Sequence, residues 1–146
     1  MFELVRIEPG KAFAVADGVA DDQEGEAQNI IGDVDGKICI VVDDICDTAG
    51  TLCAGCQILK DHGAKEVYVG ITHPIFSKDA INKIDKSVIK ELVVTDTIPM
   101  SEEKKSGTDK ITVLSIANMI AETIESIENH TPVSHVYEQY SYDSYK

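Results

Sequence analysis

The 146-residue sequence predicts an α/β fold, a mostly parallel sheet flanked by helices, on three observations. The run KICIVV, Lys37 to Val42, is short, apolar and rich in β-branched residues, as in a strand buried on both faces. The stretch TLCAGCQILKDH from Thr51 places Leu52, Cys56 and Leu59 at helical spacing and stops at Gly63, a natural C-terminal cap. Strand and helix patterns then alternate from Lys37 to Asn129, which calls for parallel strands joined by crossover helices.

The later elements follow in order. EVYVGIT, Glu66 to Thr72, reads as the second strand, followed by a turn at Pro74 and a helix from about Lys78 to Ile84. Glu91 to Thr95 reads as the third strand, leading into Thr97-Ile98-Pro99. Ser101 to Asp109 is polar and reads as a loop, with Lys104 and Lys105 in solvent; Lys110 to Leu114 is the fourth strand. Ser115 opens a last helix as N-cap, and Ile116, Met119, Ile120, Thr123, Ile124 and Ile127 make one face expected to be buried. FELVRI and KAFAVA at the start suggest a small hairpin, and QYSYDSYK at the end a frayed polar tail.

Composition excludes several functions. Acids outnumber bases 26 to 13, a net charge of −13 that argues against binding nucleic acid or an anionic membrane by charge. No apolar run approaches the roughly 18 residues that span a bilayer, and MFELVRIEPG lacks a signal pattern, so the expected location is cytoplasmic. Residues 1–36 hold nine acids against two bases, concentrated in the acidic run Ala16 to Ala27, which reads as a loop or linker. Cys53-Ala-Gly-Cys56 invites a redox reading, and Cys39 and Cys46 add two thiols at a spacing that does not suit zinc. Small core thiols in a reducing compartment account for all four.

In a parallel sheet, ligands bind outside the carboxyl ends of the strands. Three such ends are legible: Asp43-Asp44, Thr72-His73 and Thr95-Asp96-Thr97. The first runs on as Asp47-Thr48-Ala49-Gly50-Thr51, a loop that opens a helix. Unpaired N–H groups and the helix dipole favour an anion there, Ala49 and Gly50 admit close approach, and Thr48 and Thr51 add hydroxyls. Arg6 is the only arginine, so a phosphate here leans on backbone amides and hydroxyls. Asp43 and Asp44 would repel a bare anion but suit a ligand that carries hydroxyls or a divalent cation near its phosphate. A sugar phosphate meets both conditions. The plainer alternative makes Asp44 and Asp47 helix caps and Asp43 a strand terminator. His73, Asp96 and Thr97 lie on the same expected edge, as ligand contacts or turn stabilisers; His62 reads as a helix C-cap partner. The P-loop pattern GxxxxGK[ST] is absent, and a receiver domain would need an acid ending the neighbouring strand.

VVDDICDTAGTL resembles the ribose 5-phosphate loop of the ribose-phosphate diphosphokinases (phosphoribosyl diphosphate synthetases), which have the type I phosphoribosyltransferase fold. NIIGDVDGK from Asn29, GAKEVYVGITHPIFS from Gly63, ELVVTDTIP from Glu91, KITVLSIANMIAETI from Lys110 and TPVSHVY from Thr131 match the same family in order. The resemblance implies a phosphoribosyltransferase-like domain over residues 26–137, a divergent acidic segment at 1–25 and a tail at 138–146. It implies transfer of diphosphate from Mg-ATP to the anomeric hydroxyl of ribose 5-phosphate, yielding phosphoribosyl diphosphate and AMP for nucleotide biosynthesis. Asp43 and Asp44 would hold ribose hydroxyls, directly or through Mg2+, and Asp47 to Thr51 the 5-phosphate.

The chain resembles only the C-terminal half of such an enzyme, so ATP would be used only with a complementary half, in a homo-oligomer or beside a synthetase subunit. The family's lysine–arginine flap corresponds to Phe13 to Gly25, which holds no base; Lys11 is the nearest. Pro74 stands where a glycine is usual. Ser134 to Tyr137 would serve as an effector site, an oligomer contact or a docked C-terminal strand. The alternatives are a non-catalytic regulatory subunit and a nucleobase phosphoribosyltransferase.

Overall fold

A computed structural model describes residues 34–140. The expectations for the N-terminal hairpin, the acidic run, the flap counterpart with Lys11, and the tail beyond Tyr140 lie outside the described residues. Within them the chain forms two compact units that divide after Leu114.

The first unit is a four-stranded, all-parallel sheet in the order β1-β2-β3-β4. The strands are β1 (Ile38–Cys46), β2 (Glu66–Pro74), β3 (Ile89–Thr95) and β4 (Ile111–Leu114), and α1 (Gly50–Asp61), α2 (Ala80–Lys86) and α3 (Glu102–Ser106) connect them. Every crossover steps the same way across the sheet. Right-handed crossovers therefore put α1, α2 and α3 on one face.

Burial follows that topology. Cys39 and Val41 of β1, Val67, Val69 and Ile71 of β2, and Leu92 and Val94 of β3 are buried with Leu52, Cys56 and Leu59 of α1 and Ile84 of α2. The alternate residues Ile40, Tyr68 and Val93 are only half-buried, and Val42 is exposed. The expectation that KICIVV is buried on both faces is thus corrected: among the described residues, helices α1, α2 and α3 lie over one face, and Val42 on the other is exposed. Full burial of a side chain such as Leu92 stabilises the fold by about 1.5–3 kcal/mol.

Two strand boundaries move. β1 continues past Val42 because Asp43 pairs with Ile71, Ile45 with His73 and Cys46 with Pro74. The same pairs carry β2 beyond Thr72 to Pro74, so the turn begins later than proline alone suggests. The expected loop at Ser101–Asp109 contains α3, whose start is capped by Ser101 Oγ accepting from the Lys104 amide at 3.3 Å. Glu102 and Glu103 in its first turn and Lys104 and Lys105 in its last complement the helix dipole. After α1 the chain turns at Gly63, whose φ of 90° is a backbone shape that favours glycine. His62 closes the helix as expected, with Nδ1 2.8 Å from Ile58 O.

The second unit consists of α4 (Ala117–Glu128) and α5 (Ser134–Gln139). Two expectations are corrected in it. Ser134 to Tyr137 lies in α5 and is not a docked strand. The apolar stripe of α4 is not buried, since Ile120, Ile124 and Ile127 are 46%, 61% and 62% exposed. Within the unit the polar side packs instead: Ser126 is buried, its Oγ donates to Glu122 O at 2.7 Å, and Gln139 Nε2 donates to Glu122 Oε1 at 3.3 Å. A six-residue α5 is too short to cover both sides of a twelve-residue helix. Ser115 Oγ accepts from Ala117 N at 3.3 Å, although the structural N-cap is Ile116.

Truncating the central strand tests this core. Leu92→Ala should lower the unfolding free energy by about 2–5 kcal/mol, measured by urea denaturation, through lost burial and a residual cavity.

Candidate functional site at the carboxyl edge of the sheet

The parallel register brings the ends of β1 and β2 side by side, with Ile45 opposite His73. The segment after β2 then folds back on the end of β1. Ile75 N and Phe76 N donate to Cys46 O at 3.0 and 3.1 Å, and Ser77 N donates to Asp47 O at 2.9 Å. These bonds hold the loop from Asp47 to Ala49 that precedes α1.

That loop carries local strain. Ala49 has φ 60°, and Phe76 and Lys78 beside it have φ 47° and 53°. Each non-glycine residue in this region costs about 1–2 kcal/mol, and such costs gather at functional sites. The positive φ falls on Ala49, while Gly50 begins the helix. A Cβ on Gly50 would meet only Lys83 Nζ and Thr48 Oγ1, both at 3.8 Å, so folding does not require glycine there. A methyl group there would sit in ordinary van der Waals contact with those two side chains, over the head of α1.

No side chain caps α1, and its first turn holds no acid. Its free N–H groups and positive dipole end are thus available to an anion. Asp47 and Thr51 are exposed, Thr48 and Gly50 partly so, while Ala49 is buried. The expectation of a site built from amides and hydroxyls alone is incomplete. Lys83 of α2 donates through Nζ to Thr48 O at 3.2 Å, and Lys104 of α3 reaches Ile75 O at 3.0 Å. No local pattern marks either lysine, because each acts 35 or 29 residues away from its partner.

Asp43 is half-buried and Asp44 exposed, and the Asp44 amide donates to Asp43 Oδ1 at 2.9 Å. Burial raises the Asp43 pKa above the ordinary carboxylate value, outweighing the opposing pull of that amide. As successive residues of β1 the two face opposite sides of the sheet. Among the described residues no group of three or more His, Cys, Asp or Glu is placed to hold a metal ion. A magnesium ion that keeps water and substrate oxygens, and takes one carboxylate from this pair, fits the donor set.

At the neighbouring strand ends, His73 Nδ1 lies 3.0 Å from Thr97 Oγ1. The Thr95 and Thr97 hydroxyls both reach Thr72 O, at 2.6 and 2.8 Å. Asp96 is exposed, and its amide donates to Leu114 O, tying β3 to β4. The structure thus joins His73 to Thr97 and sets Asp43 and Asp44 in the strand that leads to the Asp47–Thr51 segment.

The thiols are unsuited to redox work. Burial raises all four pKa values, Cys46 and Cys56 to about 12, and for Cys56 the other three thiols lie near enough to add to the rise. All four are free cysteines. No helix among the described residues is long and apolar enough to cross a membrane.

Comparison with known proteins agrees with the parallel α/β fold. The family described as the phosphoribosyl synthetase-associated domain matches residues 16–138. The chain is 52% identical over 112 residues to a ribose-phosphate pyrophosphokinase of Bordetella pertussis, covering 77% of this chain and 36% of that protein. It is 50% identical over 109 residues to one of Halalkalibacterium halodurans, covering 75% and 34%. A crystal structure of phosphoribosylpyrophosphate synthetase from Mycobacterium smegmatis superposes with a TM-score of 0.66 at 38% identity, over 69% of this chain and 33% of that one. The chain spans about a third of the length of these relatives.

Two measurements test the site's electrostatics. A carboxyl whose pKa is raised by folding adds stability that is complete below its unfolded-state pKa and lost as pH rises through the folded value. Asp43→Asn should therefore melt above the wild type at neutral pH in calorimetry, with the two Tm values converging below about pH 4; a lower Tm at neutral pH would contradict the burial argument. With iodoacetamide at about pH 8, Cys46 and Cys56 should remain unmodified in native protein and react only in denaturant, as mass spectrometry would read.

Proposed function

The chain belongs to the phosphoribosyl synthetase-associated domain family, and from that premise we propose that it is the ribose 5-phosphate-binding part of a ribose-phosphate diphosphokinase. The observation that carries the reading is the uncapped, strained head of α1, placed at the end of the strand that carries Asp43 and Asp44. The 5-phosphate sits on the amides and hydroxyls of Asp47, Thr48, Ala49, Gly50 and Thr51, with Lys83 adding positive charge. Of Asp43 and Asp44, which alternate across the strand, the one on the ligand's side takes the ribose hydroxyls, directly or through magnesium. His73 and Thr97 border the sugar, and Asp96 lies at the rim.

The reaction is positioning plus charge neutralisation. The anomeric hydroxyl of ribose 5-phosphate gives its proton to solvent as its oxygen bonds to the β-phosphorus of ATP, the bond from that phosphorus to the oxygen bridging the α-phosphate breaks, and AMP leaves. Magnesium, when bound, neutralises phosphate charge. This chain's own residues hold the sugar phosphate at both ends, which orders the attacking hydroxyl. ATP binding and transfer depend on the complementary part of the enzyme, in a homo-oligomer or beside a synthetase subunit. Four free thiols support a reducing, cytoplasmic location.

One observation favours a second reading. Phe13 to Gly25 holds no lysine or arginine, so a subunit that binds sugar phosphate and regulates a complete synthetase is the alternative.

Calorimetric titration with ribose 5-phosphate, with and without magnesium, tests the proposal. Binding should be magnesium-assisted, and the chain alone should form little AMP from ATP. Gly50→Ala should keep or raise the Tm, by up to about 1 kcal/mol of added stability, yet weaken ribose 5-phosphate at least about tenfold. Absent binding, or unchanged affinity in that variant, would overturn the assignment.

A further inference from the structure

Four short contacts meet around the Thr97 hydroxyl and its neighbour. Thr95 Oγ1 lies 2.6 Å from Thr72 O, Thr97 Oγ1 lies 2.8 Å from the same carbonyl, the two hydroxyls are 3.0 Å apart, and His73 Nδ1 is 3.0 Å from Thr97 Oγ1. Each hydroxyl has one proton to donate. If His73 Nδ1 were an acceptor, the Thr97 proton would go to it, and the single Thr95 proton would have to serve every remaining contact. The 2.8 Å approach of Thr97 Oγ1 to Thr72 O would then bring two oxygens together with no hydrogen between them. If Nδ1 carries the proton and donates to Thr97 Oγ1, both threonine hydroxyls are free to donate to Thr72 O, whose two lone pairs accept them. Three protons then serve three of the four contacts, and only the 3.0 Å approach of the two hydroxyl oxygens lacks one, whereas an accepting Nδ1 leaves two protons for all four.

We infer that Thr97 is a positioning residue that holds His73 in its Nδ1–H tautomer, so that Nε2 offers a lone pair to a ligand hydroxyl at the carboxyl edge of the sheet. Nε2 has no hydrogen-bond partner among the described residues, and the ring is only half-buried. A lone pair recognises a donor and repels a phosphate oxygen. Neutral His73 therefore selects for the hydroxyl-bearing end of a sugar phosphate on the β2–β3 side and leaves the phosphate to the head of α1. This assignment of ends rests on the proposed ribose 5-phosphate reading; the tautomer does not.

Two-bond proton–nitrogen correlation spectra of the imidazole, recorded on the full chain at about pH 8.5, ~2 units above the ordinary imidazole value, test both parts. Without ligand, His73 should show a protonated Nδ1 and an unprotonated Nε2. Thr97→Val should shift the ring toward the other tautomer, and Thr97→Ser should restore the wild-type pattern. A wild-type ring protonated at Nε2, or one indifferent to Thr97→Val, overturns the lock. Ribose 5-phosphate should then move the Nε2 resonance, inorganic phosphate should leave it in place, and Thr97→Val should weaken ribose 5-phosphate about two- to tenfold. Ribose 5-phosphate binding that leaves Nε2 unmoved overturns the assignment of the hydroxyl end to His73. Absence of any ribose 5-phosphate binding, with the tautomer as inferred, overturns the functional reading and leaves the lock standing.

Discussion

The parallel pairing of β1 with β2 beyond Asp43, through Ile45 with His73 and Cys46 with Pro74, is the constraint on which the rest of the candidate site depends. Those last pairs extend both strands past the point where their side chains stop being apolar. They bring the Cys46 and Asp47 carbonyls under the amides of Ile75, Phe76 and Ser77. Without that backbone clasp nothing would hold Ala49, Phe76 and Lys78 in unfavourable backbone conformations around one loop. The strain is local, and the buried sheet face beneath it, centred on Val69 and Leu92, supplies the compensating stability.

The edge is a balance of opposed charges. An uncapped helix end and the Lys83 ammonium favour an anion, while two carboxylates a few residues earlier oppose one. Burial makes Asp43 costly to keep ionised, so any partner that brings positive charge or hydroxyl donors relieves it. Sites that keep unfavourable groups in the free state commonly recover the cost on binding, and the proposed sugar phosphate with magnesium would address both ends at once. The thiols, by contrast, show burial winning without a recovery: Cys56 sits in the core beside Cys53 and is pushed away from the thiolate.

Much of the architecture was legible because it rests on local rules. KICIVV, EVYVGIT and ELVVT mark strands, Gly63 marks the end of α1, and the buried face of α1 is the one its spacing foretells, Leu52, Cys56 and Leu59. α3 escapes the sequence reading although its signals are present: Ser101 followed by two acids and two lysines is a capped short helix. Polarity obscured it, since no residue of that helix is buried. The apolar stripe of α4 reads as buried because periodicity reports which residues share a face. What covers that face is not written in the periodicity.

The amino-acid order by itself determined the parallel α/β class, the placement of Asp43, His73 and Thr97 toward or just past the carboxyl ends of their strands, and the helix-opening position of the Asp47–Thr51 segment, because propensity, periodicity and helix-end chemistry act over a few residues. The tertiary structure alone decided that Lys83 and Lys104 reach the loops at the carboxyl edge, that the positive φ falls on Ala49, and that Thr97 bonds the His73 ring. Those facts depend on strand register and on helices packed across tens of residues, and a one-residue slip in that register would send each side chain to the opposite face.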